Sequence, residues 1–377
     1  MMRVMFVVPY PTEAPSNRLR VEQYFPYLRK HGVKTQLRPF MSSAFYRIRY
    51  RPGALAQKAF SLAWSTAKRL LDVRRAGQAD VILIHREAFP FGGPFVEQAM
   101  ARSGTPIVFD FDDAIYLHSS GEDKMLMRFL KRPEKTARII GLSTAVIAGN
   151  DTLKSYASSY NDNIAVIPTP VDTDHFRPGP KKDDLDKVII GWIGSNTTAP
   201  YLKMVEPALE QLTRRYPQLE LRVVGGSYQP GSFNQVSLRR WGLESELREL
   251  HGFDIGIMPM PDTQWTRGKC GFKSLFYMSV GLPSVCSPVG VTTDIIQEGV
   301  NGFLATTTEE WIEKLSLLIE DAGLRRQIGM AGRQSVEEKY SLRAHAPCLL
   351  RVLEGTTSGK AAGHVPPKRE AAPTPIR

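Results

Sequence analysis

This sequence predicts two α/β domains, each a parallel sheet flanked by helices, facing each other across a cleft. Three observations lead there. Apolar runs of strand length alternate with helix-like stretches through nearly all of the 377 residues, the pattern of parallel sheets covered by crossover helices. The runs repeatedly end in Gly, His, Asp or Ser, and residues at such strand ends line the crevice where α/β folds bind ligands. The alternation also halts at a Pro- and charge-rich stretch, Phe176–Lys187, and then starts again. A chain of this length supports two cores.

In order, Arg3–Pro9 (RVMFVVP) is a buried first strand, Val21–Lys30 its following helix and Val33–Phe40 the next strand. Asp80–His85, Pro106–Asp110, Ala145–Gly149 and Ile164–Pro168 are further strands. Beyond the link come the strand Val188–Ser195 (VIIGWIGS), an amphipathic helix Tyr201–Tyr216, and the strands Leu219–Gly226 and Asp254–Met260. Lys269–Val289 (KCGFKSLFYMSVGLPSVCSPV) is a loop, a helix, a tight Gly-Leu-Pro turn and a buried strand. Gly302–Ala305 is a last short strand and Glu309–Leu318 a helix. The boundaries are therefore 1–176 and 188–341 for the domains, 177–187 for the linker and 342–354 for a C-terminal helix. The tail 355–377, rich in Gly, Ala, Pro, Ser and Thr, is expected to be disordered.

With 42% hydrophobic and 23% charged residues the composition is that of a globular protein. Three cysteines without metal-like spacing fit a reducing compartment and argue against a disulfide framework or a zinc site. Met1–Pro9 lacks the basic region, long apolar core and cleavage site of a secretory signal, and no apolar run reaches membrane-spanning length. The expected location is the cytoplasm. The net charge of +11 predicts an anionic partner: a lipid surface, a nucleic acid or a phosphorylated substrate. Basic and aromatic residues interleave over Phe45–Arg75, including Tyr50, which suits a peripheral element on anionic lipid at the inner face of a membrane. A plain solvated amphipathic helix explains them equally well. Nucleic acid is not an expected partner, because no recognition motif of that class is present.

Candidate site residues cluster at the strand ends. Lys269 and Lys273 lie four apart, so in a helical first turn they share a face. Gly271 between them permits close approach of a ligand, and a helix start offers free N–H groups and a positive dipole end. Together they suit a diphosphate; a solvated basic turn is the competing explanation. Gly194 and Ser195 end a strand, placed either to meet a phosphate or simply to turn the chain into a helix capped by Thr197 or Thr198. Asp110, Asp112 and Asp113 crowd one strand end in FDFDD, where carboxylates repel unless a cation or donor is near. His85 and Arg86 end the preceding strand, and Arg18 and Arg20 follow the first. The arginines suit an anionic acceptor or a phosphate, or a solvated helix start capped by Ser16. The first strand leads into PYPTEAPSN without Gly-x-Gly-x-x-Gly, which counts against a dinucleotide redox cofactor.

The second half, through GWIGS, RVVGG, DIGIMPM, KCGFKSLFYMSVGLPSVCSPVG and DIIQEGVNGFLA, resembles the group 1 glycosyltransferases, sequence-defined family 4, over roughly residues 188–341. PYPTEAPSNRLRVEQY, DVILIHREAF, PIVFDFDDAIY and IPTPVDTDHFRP extend the resemblance to the first domain. It implies a GT-B fold of two Rossmann-like domains and sugar transfer with retention. The donor is a nucleotide-diphosphate sugar and the acceptor a glycan or lipid-linked glycan, as in surface polysaccharide assembly; neither metal nor cofactor is implied. Donor contacts would come from Gly194, Ser195, Lys269, Gly271, Phe272, Lys273 and Asp294, and acceptor contacts from Arg18, Arg20 and Arg86. Asp112, where relatives often carry histidine, would touch the reacting sugar or acceptor hydroxyl, with Asp113 beside it; His85, ending the neighbouring parallel strand, is expected either near Asp112 as a catalytic candidate or in a structural role. Helix capping competes for Asp112, Asp113 and Asp294. The paired glutamates common in the family are replaced by Gly268 and Phe276, which leaves open a catalytically silent relative that binds a sugar nucleotide or serves as a scaffold.

Overall fold

In a computed structural model, residues 1–49, 51, 53–118, 132–180 and 186–358 are described. Two six-stranded parallel sheets organise the chain. The first contains β1 (Met2–Val8), β2 (Val33–Pro39), β3 (Val81–His85), β4 (Ile107–Phe111), β5 (Ala145–Ala148) and β6 (Ile164–Val166), in the order β2-β1-β3-β4-β5-β6. The second contains β7 (Val188–Ile193), β8 (Leu219–Val224), β9 (Val236–Arg239), β10 (Ile255–Met258), β11 (Ser284–Cys286) and β12 (Phe303–Leu304), in the order β12-β11-β10-β7-β8-β9. Every strand pair is parallel. The central strands β3, β4 and β5 are buried at every position, which is why they are nearly continuous apolar runs and not alternating ones.

Helices α1 (Pro15–Arg20), α2 (Phe25–Lys30), α3 (Ser43–Ile48), α4 (Leu55–Arg75), α5 (Phe95–Ala101), α6 (Lys135–Leu142) and α7 (Asp151–Ala157) belong to the first sheet. To the second belong α8 (Glu206–Arg215), α9 (Glu246–His251), α10 (Gln264–Arg267), α11 (Phe272–Ser279), α12 (Thr292–Ile295), α13 (Thr308–Glu320) and α14 (Ala322–Lys339). The last helix, α15 (Leu342–Thr357), returns to the first domain and buries Ala346, Leu349 and Leu353 in the same cluster as Phe6, Leu28 and Leu83. Caps set the ends of this run. Thr307 and Glu310 form a reciprocal capping box, and Asp321 and Ser341 cap α14 and α15.

Several elements differ from the sequence expectation. The helix expected over Val21–Lys30 is broken: α1 ends at Arg20, a 3₁₀ turn spans Glu22–Tyr24, and Pro26 opens α2. Pro207 likewise divides Tyr201–Tyr216 into a 3₁₀ turn over Ala199–Met204 and α8. Proline fits a first helical turn and is disfavoured in a helix interior, although α15 accommodates Pro347. β9, a half-exposed edge strand, was not expected. Of the tail expected to be disordered, Gly355–Thr357 is the end of α15, and 359–377 lie outside the described residues, as do 181–185 of the linker and Tyr50.

The chain crosses between the domains twice, side by side. Val171 N–H donates to the Tyr340 carbonyl at 2.9 Å and Leu342 N–H to the Val171 carbonyl at 2.8 Å. Arg333, buried in α14, reaches over this crossing to donate to the carbonyls of Thr173, Phe176 and Ser279. Both sheets therefore present their carboxyl ends to one cleft.

Candidate functional site

Each sheet reverses its strand order once, between β1 and β3 and between β7 and β10. The crevice outside such a switch point is where an α/β sheet binds its ligand. The two crevices face each other, and the candidate residues divide between them.

On the first side, Asp110 is the buried hub. Its carboxylate accepts from Arg20 Nη2 at 2.7 Å and from His85 Nδ1 at 2.7 Å. Arg20 spends its other amino group on the Ile167 carbonyl and the Thr169 hydroxyl. Burial pushes the Asp110 carboxyl up, but Arg20 and His85 outweigh it and hold it below the usual range. Arg20 is thus a buried structural cation and not an acceptor ligand: it is 4% exposed and its partners are internal. His85 is fully buried, and the Ser16 Oγ lies 3.0 Å from its Nε2. With Asp110 accepting from Nδ1–H, Nε2 accepts from the serine hydroxyl when the ring is neutral and donates to it when the ring is protonated. Ser16 is therefore not the cap of α1, which starts at Pro15 with no side-chain cap.

Asp112 and Asp113 lie on the rim and share Arg86, which donates to Asp112 Oδ1 from Nε at 2.8 Å and to Asp113 Oδ2 from Nη2 at 2.6 Å. Arg86 adopts a left-handed φ of 63° directly after β3, where its N–H is held by the Asp110 carbonyl. Burial pushes Asp112 up, yet the attraction of Arg86, His85 and Arg20 leaves it below the usual range. A carboxylate so stabilised orients a hydroxyl better than it takes the proton. Neither aspartate caps a described helix.

On the second side, the two lysines converge by a route other than the expected one. α11 begins at Phe272 with Gly271 as a left-handed N-cap of φ 61°, so Lys273 is in its first turn while Lys269 precedes it in the loop after α10. Lys273 Nζ lies 5.5 Å from the Trp192 ring centroid. Burial and the neighbouring Lys269 push it down to about 8, which makes this buried lysine a site candidate. The glycines beside them serve packing. A β-carbon on Gly194 would meet Trp192 at 2.6 Å and Lys273 Cε at 2.8 Å, and one on Gly271 would meet Ile295 at 2.6 Å. Ser195 is exposed at the end of β7. Phe272 packs tilted against Phe276, with ring centroids 5.1 Å apart, along the core edge. Asp294 is exposed on α12 and acts electrostatically on Tyr340, whose hydroxyl burial and then Asp294 push up.

A seam closes the cleft. Lys269 Nζ lies 3.3 Å from Asp113 Oδ1, and the Cys270 thiol donates to the Asp112 carbonyl at 3.2 Å. Asn150 caps α7 with Oδ1 while its Nδ2 donates to the carbonyls of Gly268, at 3.0 Å, and Lys269, at 3.2 Å. Arg18 pairs at 3.0 Å with Glu246, which also accepts from Trp241 Nε1. Gly268 is required here, since a β-carbon would come within 2.7 Å of Ala114 Cβ. Among the described residues no group of three or more His, Cys, Asp or Glu side chains could hold a metal ion. Ser16, Asp110, Asn150 and Glu246 stood outside the set assigned from sequence. Only Asp110, in FDFDD, carried a signal; the others depend on which loops meet.

Residues 187–321, nearly all of this second side, match the family described as Glycosyl transferases group 1. The second domain belongs to the group 1 glycosyltransferases. Solved structures agree on the fold of the whole chain. HepE of Anabaena, in complex with UDP and glucose, superposes with a TM-score of 0.65 at 15% identity, covering 94% of this chain and 100% of its own. Sucrose-phosphate synthase from Thermosynechococcus elongatus gives 0.68 at 12% identity, over 96% and 100%. A glycosyltransferase from Rickettsia africae gives 0.66 at 15% identity, over 94% and 98%. The fold is GT-B, two parallel-sheet domains around a cleft. No curated protein matches the chain.

Proposed function

We propose that this group 1 glycosyltransferase chain moves a sugar, with retention, from a nucleotide-diphosphate sugar to a glycan or lipid-linked glycan in surface polysaccharide or glycoconjugate assembly. The observation that carries the reading is the convergence of Lys269 and Lys273 at the switch point of the domain that matches the family. Structures of HepE hold UDP with glucose, and UDP-glucose, which favours a UDP-sugar as donor. The two ammonium groups and the free N–H groups at the start of α11 stabilise the departing diphosphate, so the reading takes no metal and no cofactor. Asp112 and Asp113, fixed by Arg86, orient the acceptor hydroxyl. Ser16, held by His85, offers a second polar contact. The seam brings the two half-sites together and sheds water. A lipid-linked acceptor is presented at a membrane, so the reading includes a peripheral seat on the inner membrane face; among the described residues no helix is long and apolar enough to cross one.

The test is release of UDP from a panel of UDP-sugars, with and without membrane glycolipid as acceptor, followed by the anomeric configuration of any product. Acceptor-stimulated release with the anomer retained supports the reading. One specific observation favours a second reading, a silent sugar-nucleotide binder or scaffold: position 268 has no room for a side chain and Phe276 is buried at 4% exposure beside Phe176, so no carboxylate stands where the family often has two. UDP binding without turnover on any donor would select it.

A further inference from the structure

Helix α4 packs Leu62 and Val73 half-buried against the first domain, yet it leaves an apolar stripe in solvent. Its buried residues are Ser65, Arg69 and Asp72, and Arg69, 1% exposed, pairs with Asp72 at 3.2 Å and donates to the Val8 carbonyl at 3.1 Å. Its outer face carries Phe60, 72% exposed, Trp64, 61%, and Leu71, 46%, with Ala67 between them. These four follow at i, i+4, i+7 and i+11, a single stripe of an α-helix. Leu55 and Leu70 are exposed as well. In an ordinary surface helix that stripe faces the core; here it faces solvent, and a contiguous exposed apolar stripe marks an interaction site.

Charge decides the partner. Exposed Lys68, Arg74 and Arg75 lie along the same helix, and exposed Arg47 and Arg51 precede it. The sole acidic residue of α4, Asp72, is turned inward and neutralised by Arg69 and Arg38. Two copies of this face would set like charges together. An anionic lipid surface complements both features, since apolar side chains enter the acyl boundary while Lys and Arg stay with the head groups. The aromatic residues at the start of the segment are engaged elsewhere. Phe45 and Ile48 are buried with Phe40, and Arg49 stacks on Tyr46 at 3.6 Å.

We infer that the outer face of α4 docks the first domain on an anionic lipid bilayer, with Phe60, Trp64 and Leu71 inserted and Lys68, Arg74 and Arg75 on the head groups. Arg69 anchors the helix to the last residue of β1, so α4 runs beside the carboxyl end of that strand. Only the idea that this serves a membrane-borne acceptor rests on the proposed function; the docking surface does not.

The full chain is sedimented with vesicles of phosphatidylcholine alone and of phosphatidylcholine with phosphatidylglycerol, while tryptophan emission is recorded. The expected result is binding to the anionic vesicles only, weakened by salt, with a blue shift that Trp64→Phe removes. Phe60→Ser/Trp64→Ser and Lys68→Gln/Arg74→Gln/Arg75→Gln should each weaken binding by about tenfold or more at unchanged melting temperature, and leave UDP affinity unaltered. Equal sedimentation with neutral vesicles, none with either, or concentration-dependent self-association lost in Phe60→Ser/Trp64→Ser would overturn the inference. Vesicle binding without sugar transfer would leave the surface standing and remove the proposed function.

Discussion

The Lys269 ammonium lies 3.3 Å from Asp113 Oδ1, joining two residues 156 positions apart across the cleft. Under the proposed function a donor phosphate oxygen would take the place of Asp113 at Lys269, so closure of the cleft and capture of the diphosphate would draw on the same cation. Asp113 keeps Arg86 in either case. Asp113→Asn is therefore expected to tighten UDP binding several-fold, because the competing anion is gone, while lowering turnover. Unchanged UDP affinity in calorimetry would show that the two anions do not compete.

Lys273 gives the site a pH dependence. Its proton is held with an affinity near pH 8 in the free protein, and a bound diphosphate raises that value. UDP affinity is thus expected to be full below about pH 8 and to fall as pH rises through it. Because Lys269 is one cause of the depression, Lys269→Ala should move the fall to higher pH. Titrations of UDP from about pH 6.5 to about pH 10.5, a range that spans both the lowered value and the ordinary lysine value of about 10.4, check both statements; a flat profile contradicts them.

Asp110 predicts an acid limit to stability. Its folded-state carboxyl lies below the usual value, so its contribution is fully present above about pH 4 and is lost as pH falls through the folded value. Asp110→Asn leaves Arg20 buried without its counter-charge, a loss of about 3–5 kcal/mol. The denaturation midpoint should drop and its acid dependence should shrink. An unchanged midpoint would mean that Arg20 finds another partner.

Asp112→Asn tests the acceptor side. Arg86 retains Asp113, so the fold should hold and UDP affinity should stay nearly constant. Turnover should fall by about 10²-fold, the scale of a misplaced reactant. Lost stability at unchanged specific activity would make Asp112 structural.

Glu246→Gln should loosen the seam by weakening the pair with Arg18, while Trp241 keeps an acceptor. A larger radius of gyration in solution scattering and lower turnover at unchanged UDP affinity are expected. Unchanged scattering and turnover would show that Arg18 contributes nothing to closure.

The strands were legible because buried parallel strands are apolar throughout and end in polar residues, as VILIH and IVFDF do. β9 was not: VSLR is short, half-exposed and ends in arginine. Helix breaks at Glu22–Tyr24 and Val205 follow from Pro26 and Pro207, whose permitted place is a first turn. Site pairings were the least legible. Arg20 and Asp110 are 90 positions apart, and no periodicity records a long-range charge pair. The lysines do converge, but from a loop and a helix and not from one helical face. In α4 the interleaved basic and aromatic residues did not say which side turns inward; Arg69 and Asp72 face in as a mutually neutralised pair, with Leu62 and Val73 beside them.

The central claim is that Lys269 and Lys273 hold the donor diphosphate, and calorimetric titration of UDP into the wild type and into Lys269→Ala/Lys273→Ala tests it most directly. Each charge-assisted bond contributes about 1.5–3 kcal/mol. The double variant should therefore bind at least about tenfold more weakly at unchanged melting temperature. Equal affinity in the two proteins, or no binding by either, would contradict it.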